Sequence, residues 1–253
     1  MFSGIVLACL AAFAAGFIDA VVGGGGLVQT PALLILFPHY PVATLLGTVK
    51  IPSFCGTAVS AWQYSRQIEI RWKLVGWIAL AAFFAALTGS WMVSLLQNAV
   101  LKPIILVVLI GVALYTYRKK NLGYIHTEPE FELALRKGIA LGILIGFYDG
   151  FIGPGTGSFL VLVFIGVLGY DFKNASGHSK IVNLATNFAS ILYFGSTGHI
   201  LFELALPMAI CNMAGGYTGT RMALLKGNKF IRAFFLSVVG ATILRFGYDI
   251  FFH

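Results

Sequence analysis

Charge is scarce in this sequence: nine Asp and Glu and 17 Lys and Arg stand among 253 residues, so 10% of the chain is charged and 58% is apolar. Soluble domains carry roughly 25% charged residues. A chain this poor in charge cannot cover a water-facing surface, which excludes a soluble globular domain and makes lipid the main solvent. Cysteine is almost as rare. Cys9, Cys55 and Cys211 lie far apart, in or beside apolar runs, without CxxC or zinc-type spacing, and read as small packing residues. The sequence also has no nucleophile elbow, Walker loop or HExxH. His39, His126, His199 and His253 fall in loops or at the end with no metal spacing. Neither a cofactor nor a metal is expected. The N-terminus, Met1-Phe2-Ser3-Gly4, lacks the basic region of a signal peptide, so the first apolar stretch reads as a retained span.

What the sequence does have is long, continuous apolar runs, as in Ile104 to Tyr115 and Gly138 to Ile152. In hydrocarbon every backbone N–H and C=O needs an internal partner, which leaves helices or closed barrels. The runs lack the alternation of a barrel strand. The expected fold class is therefore an all-α membrane protein. The net charge of +8 is no nucleic-acid signature, because the Lys and Arg sit in short clusters between apolar segments.

An internal repeat appears when the sequence is shifted against itself by 130 positions. Gly16-Phe17-Ile18-Asp19 then meets Gly146-Phe147-Tyr148-Asp149, and Gly23 and Gly25 meet Gly153 and Gly155. Gly47, Lys50 and Ser60 meet Gly177, Lys180 and Ser190, and Thr88-Gly89 meets Thr218-Gly219. Apolar composition alone does not readily place Asp, Gly and Lys in one register. Each copy reads as five segments: Phe2–Val22, Leu27–Phe37, Ala43–Tyr64, Trp72–Leu96 and Leu101–Tyr117, then Leu133–Ile152, Thr156–Leu168, Asn174–Gly195, Phe202–Leu225 and Phe230–Phe252. The domains are a first transmembrane repeat, 1–120, a cytoplasmic linker, 121–132, and a second transmembrane repeat, 133–253.

The second segment of each copy is short, about 16 Å for the first at 1.5 Å per residue, and reads as a half-helix, a thinned crossing or part of a re-entrant hairpin. The positive-inside rule chooses among these. Between the third and fourth segments copy one carries Arg66, Arg71 and Lys73, whereas copy two has Ser196-Thr197-Gly198-His199. Between the fourth and fifth the bias reverses: Lys102 alone in copy one, Lys226, Lys229 and Arg232 in copy two. Opposite bias at equivalent loops predicts copies inverted relative to each other, which requires an odd number of crossings in each. The expectation is ten hydrophobic segments as two inverted five-segment repeats, with short broken helices after Gly-rich turns. Both termini then lie outside and the basic centre is cytoplasmic. Such an inverted repeat is characteristic of secondary transporters, whose sites lie at the repeat interface.

Three pairs of features carry the candidate chemistry. The first is the glycine turn, Gly23-Gly24-Gly25-Gly26 and Gly153-Pro154-Gly155-Thr156-Gly157. Each breaks an apolar run and opens a short helix, whose first N–H groups and partial positive charge suit an anion. The alternative is a tight turn or close helix packing; recurrence in both copies favours a site. The second is Lys50 and Lys180, each two turns into an apolar segment. They read as cations that offset the desolvation of an anion, or else snorkel to the interface or pair with Asp19 or Asp149. Ser53 and Thr57, and Asn183 and Asn187, share the faces of these lysines and could donate to oxyanion oxygens. The third is Asp19 and Asp149, four residues before the turns, read as coupling or structural groups: carriers of coupled protons, or ion-pair partners and caps. Thr48 and His178 occupy matched positions, His178 as a proton-relay or substrate-contact residue.

At these residues the chain resembles the sulfite exporter TauE/SafE family, also called the toluene-sulfonate uptake permease family. The resemblance rests on Gly16-Phe17-Ile18-Asp19-Ala20-Val21-Val22-Gly23-Gly24-Gly25-Gly26-Leu27, on Ala43-Thr44-Leu45-Leu46-Gly47-Thr48-Val49-Lys50, and on their counterparts in copy two. It implies transport of sulfur-containing anions such as sulfite, sulfonates or related small organic anions. Copy two departs at Pro154, Thr156 and His178, where copy one has Gly24, Gly26 and Thr48. The expected function is a secondary transporter in a bacterial inner membrane, not an enzyme, with a small anion, membrane lipid and coupled protons as partners and no nucleic acid. An anion channel of the same architecture is the alternative, followed by a membrane-embedded enzyme or assembly factor.

Overall fold

The computed structural model describes residues 2–96 and 130–252. They form eight helices and, among the described residues, no strand: α1 (Phe2–Val22), α2 (Gly26–Leu36), α3 (Val42–Ser65), α4 (Trp72–Ser94), α5 (Phe131–Phe151), α6 (Thr156–Gly166), α7 (Phe172–Ser196) and α8 (Phe202–Phe252). The expected segment Leu101–Tyr117 lies outside the described residues, as do residues 121–129 of the linker. Within α8 the helix breaks at Gly227, whose φ of 67° is left-handed, between the two segments expected there.

Residue type explains these boundaries. α1 is apolar but for Ser3 and Asp19 and stops where Gly23 takes a φ of 80°. α5 stops the same way, before Gly153 and Gly155 at 88° and 86°. Left-handed backbone strains a residue with a Cβ, so Gly at these points ends the helix and redirects the chain. Asp171 accepts from the Asn174 N–H at 3.0 Å and caps the start of α7.

Among the described residues three helices, spanning 3–22, 42–65 and 72–94, are long and apolar enough to cross a bilayer. α5 and α7, at 21 and 25 residues, match them in length, but their Arg136, Lys137, His178, Lys180 and Asn183 make them more polar. α2 and α6 have 11 residues each, about 16 Å at 1.5 Å per residue, half of a hydrocarbon core of about 30 Å. Leu10, Trp77, Phe84, Leu144 and Ile210 point outward and exposed, as lipid-facing side chains do. The chain is an integral membrane protein.

Exchanging each helix for its counterpart 130 positions away maps the main packings onto one another. α1 lies along α8 as α5 lies along α4; α3 packs on α8 as α7 packs on α4; α2 follows α1 and α3 as α6 follows α5 and α7. The two copies are thus interleaved rather than side by side. Small residues make the approach possible. A Cβ on Gly146 or Gly150 would overlap the carbonyls of Ala82 or Ala86, and one on Gly215 or Gly219 would overlap or crowd those of Phe13 or Phe17. Backbone-to-backbone crossings of this kind are how membrane helices gain van der Waals contact.

Candidate functional site

The two glycine turns meet. A Cβ on Gly23 would overlap the backbone of Gly157, and one on Gly157 would overlap that of Gly23. The Ser158 hydroxyl donates to the Val22 carbonyl at 3.1 Å, so the start of α6 is tied to the end of α1. Neither α2 nor α6 has a side-chain cap among the described residues. Helical geometry leaves the first N–H groups of each without an acceptor one turn back; here the N–H groups of Leu27 and Val28 turn to the Gly24 and Gly25 carbonyls at 3.0 Å, and that of Thr156 to the Gly153 carbonyl at 3.2 Å. The left-handed conformation differs between copies, however. Gly155 before α6 has a φ of 86°, while its counterpart Gly25 is right-handed at −56°. Gly25 is required by space instead: a Cβ there would overlap the Ala15 carbonyl and stand 2.8 Å from Asp19 Cβ.

The lysines do not snorkel. Lys50 is 4% exposed and Lys180 fully buried. Lys50 Nζ lies 3.1 Å from Asp149 Oδ1 and donates to the Asp149 carbonyl at 2.6 Å. Lys180 Nζ lies 2.9 Å from Asp19 Oδ2 and also donates to the Asp19 carbonyl. Each ammonium of one copy therefore answers the carboxylate of the other and sits on the last turn of a broken helix, where the dipole is negative. Of the readings open in the sequence, this is the ion-pair geometry. Thr57 Oγ1 donates to Asp19 Oδ2 at 3.3 Å, and Thr156 Oγ1 lies 2.8 Å from Asp149 Oδ1. Asp149 Oδ2 is buried with no hydrogen-bond partner among the described residues.

Turns and pairs surround one cavity of about 40 Å³. Gly23, Gly25 and Gly26 line it from one turn, and Gly153, Gly155, Thr156 and Gly157 from the other. Lys50, Ser53 and Thr57 line it from α3, Asn183 and Asn187 from α7, and Asp19 and Asp149 from α1 and α5. Asn187 Nδ2 donates to the Asn183 carbonyl at 2.8 Å and lies 3.1 Å from its Oδ1. The structure thus brings 14 of the residues singled out in the sequence to one wall. Lys180 stands behind Asp19, and Gly24 faces Ser158.

Thr48 and His178 are placed elsewhere, as matched structural ties. Thr48 Oγ1 accepts the Leu201 N–H at 3.1 Å, at the start of α8. His178 Nε2 accepts the Arg71 N–H at 3.1 Å, at the start of α4, while its Nδ1 lies 2.8 Å from the Asn174 carbonyl. Arg71 and Leu201 are themselves 130 positions apart. The departure from Thr to His thus keeps one task, accepting a backbone N–H at a helix start in the opposite copy.

Three polar wall residues escaped the sequence reading: Gln29 and Thr30 on α2 and Asn212 on α8, all buried. The repeat concealed them, since their counterparts are Phe159, Leu160 and Ala82. An amide within an apolar span is itself a signal of a site or a partner, and weighing polar residues one by one would have found them.

Residues 8–246 match the family model "Sulfite exporter TauE/SafE". A probable membrane transporter protein, ORF9, of Sinorhizobium sp is 34% identical over 93% of this chain and 89% of its own length. The probable membrane transporter protein YfcA of Escherichia coli strain K12 is 32% identical over 94% and 87%, and one from Haemophilus influenzae 31% over 90% and 88%. No solved structure matches the chain significantly. With near-complete coverage and a membrane-embedded polar cavity between two copies, the chain is a membrane transporter of the sulfite exporter TauE/SafE family.

Proposed function

We propose that this chain is a secondary transporter that carries a small sulfur-containing anion, such as sulfite, a sulfonate or a related organic anion, through the cavity between its glycine turns, without catalysing a chemical change. The observation that carries the reading is the meeting of two uncapped helix starts at a buried polar cavity. An anion there accepts from the N–H groups of these starts that do not turn back to the glycine carbonyls, and each helix start contributes roughly half an elementary charge before screening. Because both lysines are paired with aspartates, the site brings no surplus cation. An anion that enters with a proton for Asp149 or Asp19 leaves the local charge unchanged, and this favours proton coupling.

The proposed architecture is ten segments in two inverted copies, residues 1–120 and 133–253, joined by a cytoplasmic linker at 121–132, with both termini outside a bacterial inner membrane. The exchange symmetry of the packing supports two equivalent copies, and the reversed loop charges support their inversion. In a background without native cysteines, Gln67→Cys and Thr197→Cys, both at exposed positions, should react with an impermeant thiol reagent from opposite sides. Labelling of both from one side would remove the inversion.

The transport reading is tested in proteoliposomes with sulfite, methanesulfonate, sulfate and acetate, with and without a pH gradient. Saturable uptake of the sulfur oxyanions, counterflow against unlabelled anion and stimulation by an inward proton gradient are expected. Flux that neither saturates nor shows counterflow would indicate the channel. Uptake of none of the four would overturn the anion reading.

A further inference from the structure

The ion pairs, the glycine turns and the backbone ties of Thr48 and His178 all occur in both copies, as parts of a common scaffold should. The buried polar groups Gln29, Thr30 and Asn212 on the cavity wall do not. Gln29, on α2, is 1% exposed, and its Oε1 accepts from Asn212 Nδ2 at 2.9 Å. Asn212 is itself held fast: its Oδ1 lies 2.8 Å from where a Cβ on Gly16 would stand and would overlap one on Gly56. Asn212 thus packs tightly where α1, α3 and α8 cross, and its amide orients the carboxamide of Gln29.

The remaining end of that carboxamide, Gln29 Nε2, is buried and meets no acceptor among the described residues. A buried N–H donor without an acceptor is unfavourable and is resolved when an acceptor arrives. The counterparts Phe159 and Ala82 can make no such hydrogen bond. The donor thus serves only one side of the site, as a determinant for an asymmetrically bound cargo would.

We propose that Gln29, oriented by Asn212, is a specificity-determining residue that donates a hydrogen bond from Nε2 to an oxygen of the bound oxyanion. Its carboxamide selects ligands that present an acceptor oxygen on the α2 side while the helix starts hold the charge. Thr30, the next residue and also on the wall, places a hydroxyl beside it. This inference rests on the anion reading of the cavity and adds to it the group that reads the ligand's orientation.

Methanesulfonate is the probe, because it keeps a single charge across the working pH range, and its binding to the purified full-length protein is measured by calorimetry. Q29L removes the donor and keeps the bulk, so affinity should fall about ten- to a hundred-fold, the range for a lost hydrogen bond to a charged acceptor. Q29E keeps an acceptor for Asn212 but turns the free end into a carboxylate oxygen. It should bind more weakly than Q29L at neutral pH and recover on acidification, when the carboxyl regains a donor. That recovery is read against the wild-type profile, which carries the contributions of Asp19 and Asp149; a purely structural role for Gln29 would not produce it. If Q29L does not elute as a folded protein, the Q29E profile carries the comparison. Equal affinity of Q29L and wild type, or a Q29E profile parallel to wild type, would overturn this inference alone. A wild type that binds neither methanesulfonate nor sulfite would overturn the anion reading and this inference with it.

Discussion

Lys50→Met should abolish anion uptake and lower the thermal stability of the purified protein, and adding Asp149→Asn should restore stability but not uptake. Lys50 and Asp149 are 4% and 3% exposed, with the ammonium between the carboxylate and the carbonyl of one residue. Removing one partner of a buried pair leaves the other charge uncompensated, at a typical cost of about 3–5 kcal/mol. The double variant has no stranded charge and packs a neutral pair, so most of that loss returns. On the proposed reading Lys50 exchanges its bond to Asp149 for one to an entering anion, and the double variant lacks that group. Lys50→Arg should recover uptake only in part, since a planar fork does not replace a compact ammonium. The same series at Lys180 and Asp19 should behave alike, because the geometry repeats. Thermal shift in detergent and flux in proteoliposomes separate the two effects. A Lys50→Met protein that transports at the wild-type rate would make the pair purely structural.

Gly155→Val should also abolish uptake, for a backbone reason. At a φ of 86°, a residue with a Cβ carries a penalty of about 1–2 kcal/mol, larger for a β-branched side chain. The start of α6 would relax away from the cavity to relieve it. Gly155→Asn, which tolerates the left-handed region better, should retain part of the activity. Gly25→Val should be as severe through overlap with Ala15 and crowding of Asp19 rather than through φ. A Cβ on Gly76 of α4 would meet nothing within 4 Å, so Gly76→Val is the control and should leave uptake near wild type. Full uptake by Gly155→Val and Gly25→Val would take the glycine turns out of the transport site.

The broken helices and their glycines were legible because hydropathy and turn chemistry are local: a helix cannot pass Gly23 or Gly153 at positive φ, and the sequence announces both. Lys50, Lys180 and the two aspartates were legible because they recur 130 positions apart in runs that should hold no charge. Which lysine meets which aspartate was not legible. The pairs cross between copies, and no periodicity within a copy carries that information. Thr48 and His178 were placed at the site by register, yet two residues before each lysine on a helix is far enough round to face a neighbouring loop instead. Gln29 and Asn212 were hidden by the device that revealed the rest, since a search for matched residues passes over polar groups that occur once.

The crossing of the pairs also constrains the order of assembly. Asp149 is made 99 residues after Lys50, whereas Asp19 is made 161 residues before Lys180. The first helix therefore enters the bilayer with an acid whose cation has not yet been synthesised. Until α7 arrives, Asp19 has Thr57 and whatever protons or water reach it, and an ionised carboxylate in that position is costly in hydrocarbon. The first copy cannot reach its final packing by itself. The earliest charge to enter the membrane can be neutralised by its partner only once Lys180 has been made.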